Sequence, residues 1–281
     1  MRQVSVVMQR FPLVLLALGG SGCATPAGGE NPRDWYDPGS PYDVSEVVAF
    51  TDVPYDFTGD VPIADLPVPG DFQTIFDPAD QPANGDCADW VTNNGLPAEI
   101  TGIVTLLPRY YFKTSGCVPD QTVDSDEKFY GSYFIQDATG GQFVLGDSKV
   151  THFDMGDRVT LKVRALKESF DQTMIQVHDV VEIQRGPEPV YYEEVGGELG
   201  PEHVSRTVRV SGVVATEAST FGEVYLDGVG GVRYKVGVDQ ELARRGVSWP
   251  VGTALEVTGP VLYSFNEYTV LVLKVGQVTE L

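Results

Sequence analysis

Histidine, cysteine and positive charge are all scarce in this chain. The three histidines, His152, His178 and His203, fall in three different predicted elements, so no catalytic relay is written in one place. No H-E-x-x-H, G-x-S-x-G or G-x-x-x-x-G-K-[ST] pattern occurs, which removes the common signatures of zinc proteases, serine hydrolases and P-loop enzymes. No metal or cofactor is therefore expected, and no enzyme activity. Cysteine is limited to Cys23, Cys87 and Cys117, so at most one disulfide can form within the chain. Nineteen Lys and Arg face forty Asp and Glu, a formal net charge of −21. Such a molecule repels phosphate backbones at long range, which disfavours a general nucleic-acid binder. No stretch after Leu18 approaches the 18 consecutive apolar residues that a transmembrane helix needs.

What is present points to β structure. A length of 281 residues suits one large or two modest domains. Hydrophobic residues make up 42%, enough for a packed core, and 31 Gly with 19 Pro suggest many turns and few helices.

Arg2 and Arg10 precede a short apolar run, Phe11 to Leu18, and then Gly19-Gly20-Ser21-Gly22-Cys23. This layout is that of a secretory signal covering residues 1–22. Its end resembles a bacterial lipobox, with Ser21, Gly22 and Cys23 matching and Gly20 standing where the family prefers Leu. The resemblance implies a lipid on Cys23 and an exported, membrane-anchored protein. Ala24 after the cysteine implies the outer membrane. Cys87 and Cys117 would then remain in a compartment that permits disulfides. They either pair or stay independent thiols; pairing would close a loop worth roughly 3–4 kcal/mol in the loop-entropy model.

Residues 23–86 read as an acidic, proline-rich tether. Ala24 to Asp86 holds Arg33 as its one basic residue against 13 acids, with ten prolines. Prolines at this density cannot sustain a helix or a central strand. As a flexible coil these 63 residues would span about 45 Å. Aromatic residues within it, Trp35, Tyr36, Phe50, Phe57, Phe72 and Phe76, leave room for part of the segment, Val44 to Phe76, to pack on the body as irregular structure. Its Asp residues do not follow the D-x-[DN]-x-[DN]-G order of a calcium loop.

From Ala98 the pattern changes to a period of two. Arg158 to Ala165 alternates apolar and polar, the signature of a strand with one face buried. Strands are expected at Glu99–Leu107, Phe129–Gln136, Gln142–Gly146, Arg158–Ala165 and Thr173–Ile183, inside a unit covering residues 87–185. A second set is expected at Thr207–Thr216, Glu223–Asp227, Val232–Val236, Ala254–Leu262 and Tyr268–Val275, inside 205–281. Residues 186–204, with five Glu and no Lys or Arg, would link them. Asp239 to Gly246 reads as a short helix with Asp239 at its N-cap and Gly246 at its end. Thr101-Gly102-Ile103-Val104 recurs as Ser211-Gly212-Val213-Val214, and Ser169-Phe170-Asp171 recurs as Ser264-Phe265-Asn266.

Five strands with a helix between the third and fourth is the order of the OB-fold, a partly open Greek-key barrel. The expected class is thus all-β: two tandem five-stranded OB-like Greek-key barrels after a mostly irregular N-terminal segment. Tyr133 to Gly141 and Gly156-Asp157-Arg158-Val159 resemble the OB modules of secreted bacterial nucleases and of bacterial envelope lipoproteins. In those nucleases the module is an accessory to a separate catalytic domain, and the sequence contains no such domain.

OB-folds bind with the face of strands two and three and with the loops joining strands 1–2 and 4–5. In the first unit the 1–2 connection carries Arg109, Tyr110, Tyr111, Phe112 and Lys113. Aromatics interleaved with cations suit base stacking on single strands and equally suit sugar faces. The same rings could instead fill the barrel mouth or pack against a Cys87–Cys117 bridge. Arg158, Lys162 and Arg164 would form a basic stripe on one strand face, either as ligand contacts or as a solvated face paired with acids. His178-Asp179 could be a base with its orienter, or a surface histidine beside an acid. The expected function is a non-enzymatic, membrane-anchored binding or scaffold lipoprotein of the bacterial envelope, with a protein or glycan as ligand. The alternative is an extracellular single-stranded nucleic-acid-binding accessory module.

Overall fold

A computed structural model describes residues 48–66, 98–109, 132–145, 153–169, 172–186, 188–220, 222–239, 242 and 247–281. Its architecture is all-β, and among the described residues the helical pieces are single turns.

The strands are β1 (Phe50–Thr51), β2 (Ala98–Arg109), β3 (Ser132–Gln136), β4 (Gly141–Leu145), β5 (Arg158–Ser169), β6 (Gln172–Gln184), β7 (Val190–Tyr191), β8 (Glu193–Glu194), β9 (Thr207–Val214), β10 (Glu223–Asp227), β11 (Arg233–Val238), β12 (Ala254–Ser264), β13 (Glu267–Val272) and β14 (Val278–Glu280). The ten strands expected from alternation are all present. The two-residue strands β1, β7 and β8, and the short β14, were beyond what a period of two can signal.

Strands β2-β3-β4-β6-β5 close into a barrel. Neighbours are antiparallel except β4 with β6, which run parallel. This is the OB order: one, two, three, five, four, and back to one. Inward side chains follow the alternation, with Val159, Leu161 and Val163 of β5 all fully buried. They meet Ile100, Val104, Tyr133, Ile135, Val144 and Ile175 in the barrel core.

The same order recurs in the seven-stranded sheet β14-β12-β13-β11-β10-β9-β8, where β9 also pairs with β12. Pairings β9–β10, β10–β11, β11–β13 (parallel), β13–β12 and β12–β9 return to their start. Val208, Val210, Leu226, Val236, Val257 and Val270 fill the ring. Of the helix expected at Asp239 to Gly246, only Asp239 and Leu242 are among the described residues. Leu242 is fully buried and its amide donates to the Asp239 carbonyl at 3.0 Å.

Neither segment expected to lie outside the strands is bare connection. Residues 48–66 form a strap over the barrel. Phe50 and Thr51 pair with Val190 and Tyr191, and the Tyr55 hydroxyl donates to Pro189 O and accepts from the Tyr191 amide. Burial pushes the Tyr55 hydroxyl far above the usual phenol pKa, so it stays a proton-bearing peg. Ile63 and Leu66 drop into the barrel core. Of the segment expected as a tether, residues 48–66 are described, and they pack on the body, as the aromatic residues within it had allowed. Residues 186–204 supply β7 and β8, and Val190 is fully buried.

The barrel and the second sheet share one apolar layer. Ile103, Leu106, Phe134, Phe143 and Met174 on the outer face of the barrel pack with Leu262, Leu271 and Leu273. Polar contacts cross the same seam. The Gln136 side chain accepts the Thr207 amide at 2.9 Å, and Arg206 donates to Thr139 O at 2.9 Å. Buried Lys274 donates to Asp154 at 2.7 Å. Gly141 lies against the Ser205 backbone, and any side chain there would run into the Ser205 carbonyl.

Candidate functional site

The face that an OB barrel ordinarily offers, strands two and three, is closed in the first barrel. On β3, Tyr133 and Ile135 point inward, while Phe134 and Gln136 point outward; all four are buried. On β4 the outward Phe143 is fully buried as well. The second sheet covers this face together with Val48, Phe50, Tyr55 and Phe57 of the strap.

The residues expected to bind a ligand fare as follows. Tyr110, Tyr111, Phe112 and Lys113 lie outside the described residues, as do Cys23, Cys87, Cys117 and His152. Arg109 and Arg164 lie on β2 and β5, with their side chains outside the description. Arg158 is taken up internally. Its guanidinium lies 3.9 Å from the Phe57 ring centroid and donates to Glu188 at 3.0 Å. Lys162 is half-buried on the outer side of β5, opposite Glu99 of β2 and Asp179 of β6. The stripe is thus interleaved with acidic strand neighbours. His178 lies on β6. His203 is buried, and its Nδ1 accepts the Gly200 amide at 2.9 Å, closing the 3-10 turn Pro201–His203.

Among the described residues, the equivalent face of the second sheet is only partly covered. Alternation on β10 buries Val224 and Leu226 and leaves Glu223, Tyr225 and Asp227 outward. On β11 it buries Tyr234 and Val236 and leaves Arg233 and Lys235 outward. Register places Tyr225 opposite Lys235 and Asp227 opposite Arg233. Lys235 Nζ bridges Glu223 at 2.8 Å and Glu267 of β13 at 2.7 Å. The Tyr225 hydroxyl donates to the other oxygen of Glu267 at 3.1 Å. Arg233 pairs with Asp227 at 2.7 Å.

These contacts set the protonation states. Burial works against the Lys235 charge, but hydrogen bonds and fields from Glu223 and Glu267 outweigh it and raise the ammonium pKa. The Lys235 hydrogen bond holds the Glu267 carboxyl below its usual range, against the opposing effect of burial. Burial, and then the Glu267 hydrogen bond and charge, raise the Tyr225 phenol. A depressed carboxyl adds stability that is present above its ordinary pKa and is lost as pH falls through the folded value. A raised ammonium or phenol adds stability that is present below its ordinary pKa and is lost as pH rises through the folded value. This face therefore contributes most between the ordinary values of 4.5 and 10.0. Urea midpoints measured across pH should show that plateau, and Lys235→Met should flatten both shoulders. An unchanged profile in the variant would refute the coupling.

At the edge of this face, β12 turns into β13 through Phe265 and Asn266. Both residues have left-handed φ, +53° and +63°. Such a two-residue turn normally takes Asn-Gly, because left-handed backbone crowds a side chain by about 1–2 kcal/mol. Phe265 nevertheless occupies it, and the residue is 72% exposed. Just inside the turn, Tyr263 and Tyr268 stack with ring centroids 4.6 Å apart.

From the sequence, Tyr225, Tyr234, Tyr263 and Tyr268 of the second unit read as core or interface aromatics. Tyr234 is core. Tyr225 instead stands on the partly covered face. The short 1–2 connection of the second unit concealed this, although the repeated Ser-Phe-Asx turn was a usable signal.

No family model matches the sequence, and no curated protein matches it. Similar solved structures do exist. The Stn1–Ten1 complex of S. pombe is 18% identical over 30% of this chain and 69% of that one, with a TM-score of 0.24. The tetrameric p202 HIN2 is 12% identical over 66% and 93%, with a TM-score of 0.31. The wild-type single-stranded DNA-binding protein of Thermus aquaticus is 13% identical over 65% and 91%, with a TM-score of 0.23. These are OB-fold proteins, and the OB-like assignment made here rests on the strand order itself.

Proposed function

We propose that this chain is a non-enzymatic binding or scaffold lipoprotein of a bacterial envelope, exported and held by a lipid on Cys23. Its ligand is a protein or glycan, met by the outer face of β10, β11 and β13. The observation that carries this reading is the asymmetry of the two equivalent faces: one sealed by the chain itself, the other only partly covered and lined with Tyr225, Lys235 and three carboxylates. A multiply acylated cysteine would anchor stably, whereas one acyl chain holds only marginally. Between Cys23 and Val48 lie 24 residues. Fully stretched they reach at most about 85 Å, which bounds how far the body can stand from its anchor.

A second reading is binding of single-stranded nucleic acid. It is favoured by the aromatic and cationic run Arg109 to Lys113, and proteins of like fold include one that binds single-stranded DNA. Against it stand the net charge of −21 and the commitment of Arg158, Arg185, Arg209, Arg233, Lys235 and Lys274 to carboxylates. Phosphate contacts need cations that are free to release counterions.

Two measurements decide between these readings. Cys23→Ser should move the protein from the membrane to the soluble fraction, and continued membrane retention would refute lipidation there. A labelled oligo-dT should show no binding at low salt. Binding that falls steeply with salt and is lost in Tyr111→Ala would instead establish the second reading.

A further inference from the structure

The strap of residues 48–66 is held the way a bound peptide is held. Its backbone pairs with the body. Val190 and Tyr192 donate to Ala49 O and Thr51 O, Ala138 donates to Phe57 O, and the Val61 amide donates to Glu99 O. The Ile63 and Ala64 amides donate to the side chains of Asp137 and Thr139. Among the described residues, hydrogen bonds within the strap close single turns, at Thr51–Val53 and Pro62–Leu66. Its side chains do likewise. Phe50, Tyr55 and Phe57 pack on the outer face of the barrel, and Ile63 and Leu66 enter the barrel core. A segment without a core of its own, recognised by main-chain pairing and by its alternate side chains, follows the logic of strand addition. Pro54 and Pro62 restrict the free segment, which lowers the entropy lost on docking.

The covalent connection does not dictate whose barrel the strap occupies. The strap lies beside the start of β2, where Val61 bonds Glu99 and Gly59 abuts the Thr101 amide. Connections within a domain commonly take about 4–6 residues, yet 31 stand between Leu66 and Ala98. Even with Cys87 tied to Cys117, the 20 residues 67–86 reach about 70 Å at full stretch. A folded body the size of residues 98–281 is about 40 Å across. The strap can therefore reach a neighbouring molecule.

We infer that the strap exchanges between copies of this chain: residues 48–66 of one molecule dock on the barrel of a second, which returns its own. The occupant is a second copy because its strap satisfies every contact above, from Phe50 on the outer face to Leu66 in the core. Since the exchanged pair makes the same contacts as the single molecule, concentration and the connection set the balance. Dilute molecules keep their own strap, and crowded molecules exchange. The inference goes beyond the binding reading and needs no lipid anchor.

The test uses the full mature chain with Cys23→Ser, so that no lipid is present and failure leaves the binding-lipoprotein reading standing. Photoreactive p-benzoylphenylalanine is placed at position 50, whose ring meets Tyr192 edge-on at 6.4 Å. A second variant carries it at position 53, which is 66% exposed, so that every packed ring of the strap stays native. Nitrogen-15-labelled probe chain and unlabelled chain are refolded together from urea, at about 5 μM and about 0.5 mM, then irradiated. Mass spectrometry of the adducts shows whether a labelled strap is joined to a labelled or an unlabelled body. Mixed-label adducts mapping to residues 188–192 should rise about tenfold or more between the two concentrations, together with a dimer by light scattering. Same-label adducts alone at both concentrations, from both positions, would overturn the inference. So would a dimer whose adducts stay same-label, or mixed adducts mapping elsewhere, because the copies would then meet by another surface.

Discussion

Phe134→Ala is expected to destabilise the protein by about 4 kcal/mol, as a large drop in urea midpoint. The ring is fully buried and meets Phe143 edge-on at 4.8 Å between centroids. It belongs to the layer that also holds Leu262, Leu271 and Leu273 of the second sheet. Removing it empties a cavity with walls on both bodies, and neither can collapse into the space without dragging its own strands. The edge-on pair adds about 1 kcal/mol to the burial. Loss of the seam should also uncouple the two bodies. With Trp35 and Trp90 replaced by Phe, the fluorescence of Trp249, packed on the core of the second sheet, reports its unfolding, while far-UV circular dichroism reports both. The two probes should coincide in the native chain and separate in the variant. A cost under about 1 kcal/mol would mean that the layer is not the tight core described here.

Asp137→Ala should cost about 3 kcal/mol, from a residue that touches no ligand. One carboxylate oxygen accepts the Thr139 amide at 2.7 Å, the Thr139 hydroxyl at 2.6 Å and the Gly140 amide at 3.0 Å. The other accepts the Ile63 amide of the strap at 3.0 Å. Bonds to a charged acceptor contribute about 1.5–3 kcal/mol each and are not additive, since some of the freed donors will find water. Asp137→Asn, which keeps the shape and part of the acceptor capacity, should cost roughly half as much. The damage should also be directional. The Ile63 amide should exchange with deuterium faster than the β3 amides, because the strap loses its anchor first. Equal acceleration at both would show that Asp137 supports the turn alone.

The strands were readable because alternation survives wherever one face of a strand looks into a barrel, as at Val159, Leu161 and Val163. The sealing of the first barrel's outer face was also written in the chain. Tyr133-Phe134-Ile135 and Val270-Leu271-Val272-Leu273 are unbroken apolar runs, and an unbroken run means that both faces are covered. The aromatics Phe50, Tyr55 and Phe57 likewise contradicted a freely solvated tether. Other features carry no local signal. Lys274 and Asp154 are 120 residues apart, and only the folded seam explains a lysine with 2% of its side chain exposed. The two-residue strands β1, β7 and β8 are too short for any period, and only their partners define them.

Burial of the first barrel's outer face also fixes a count. Repeating a unit ordinarily doubles the grips a chain can offer, yet here one copy uses its grip to hold the other. On the proposed binding reading, each molecule would offer this surface once, and any avidity would have to come from crowding many copies together, so surface density would set the strength of attachment.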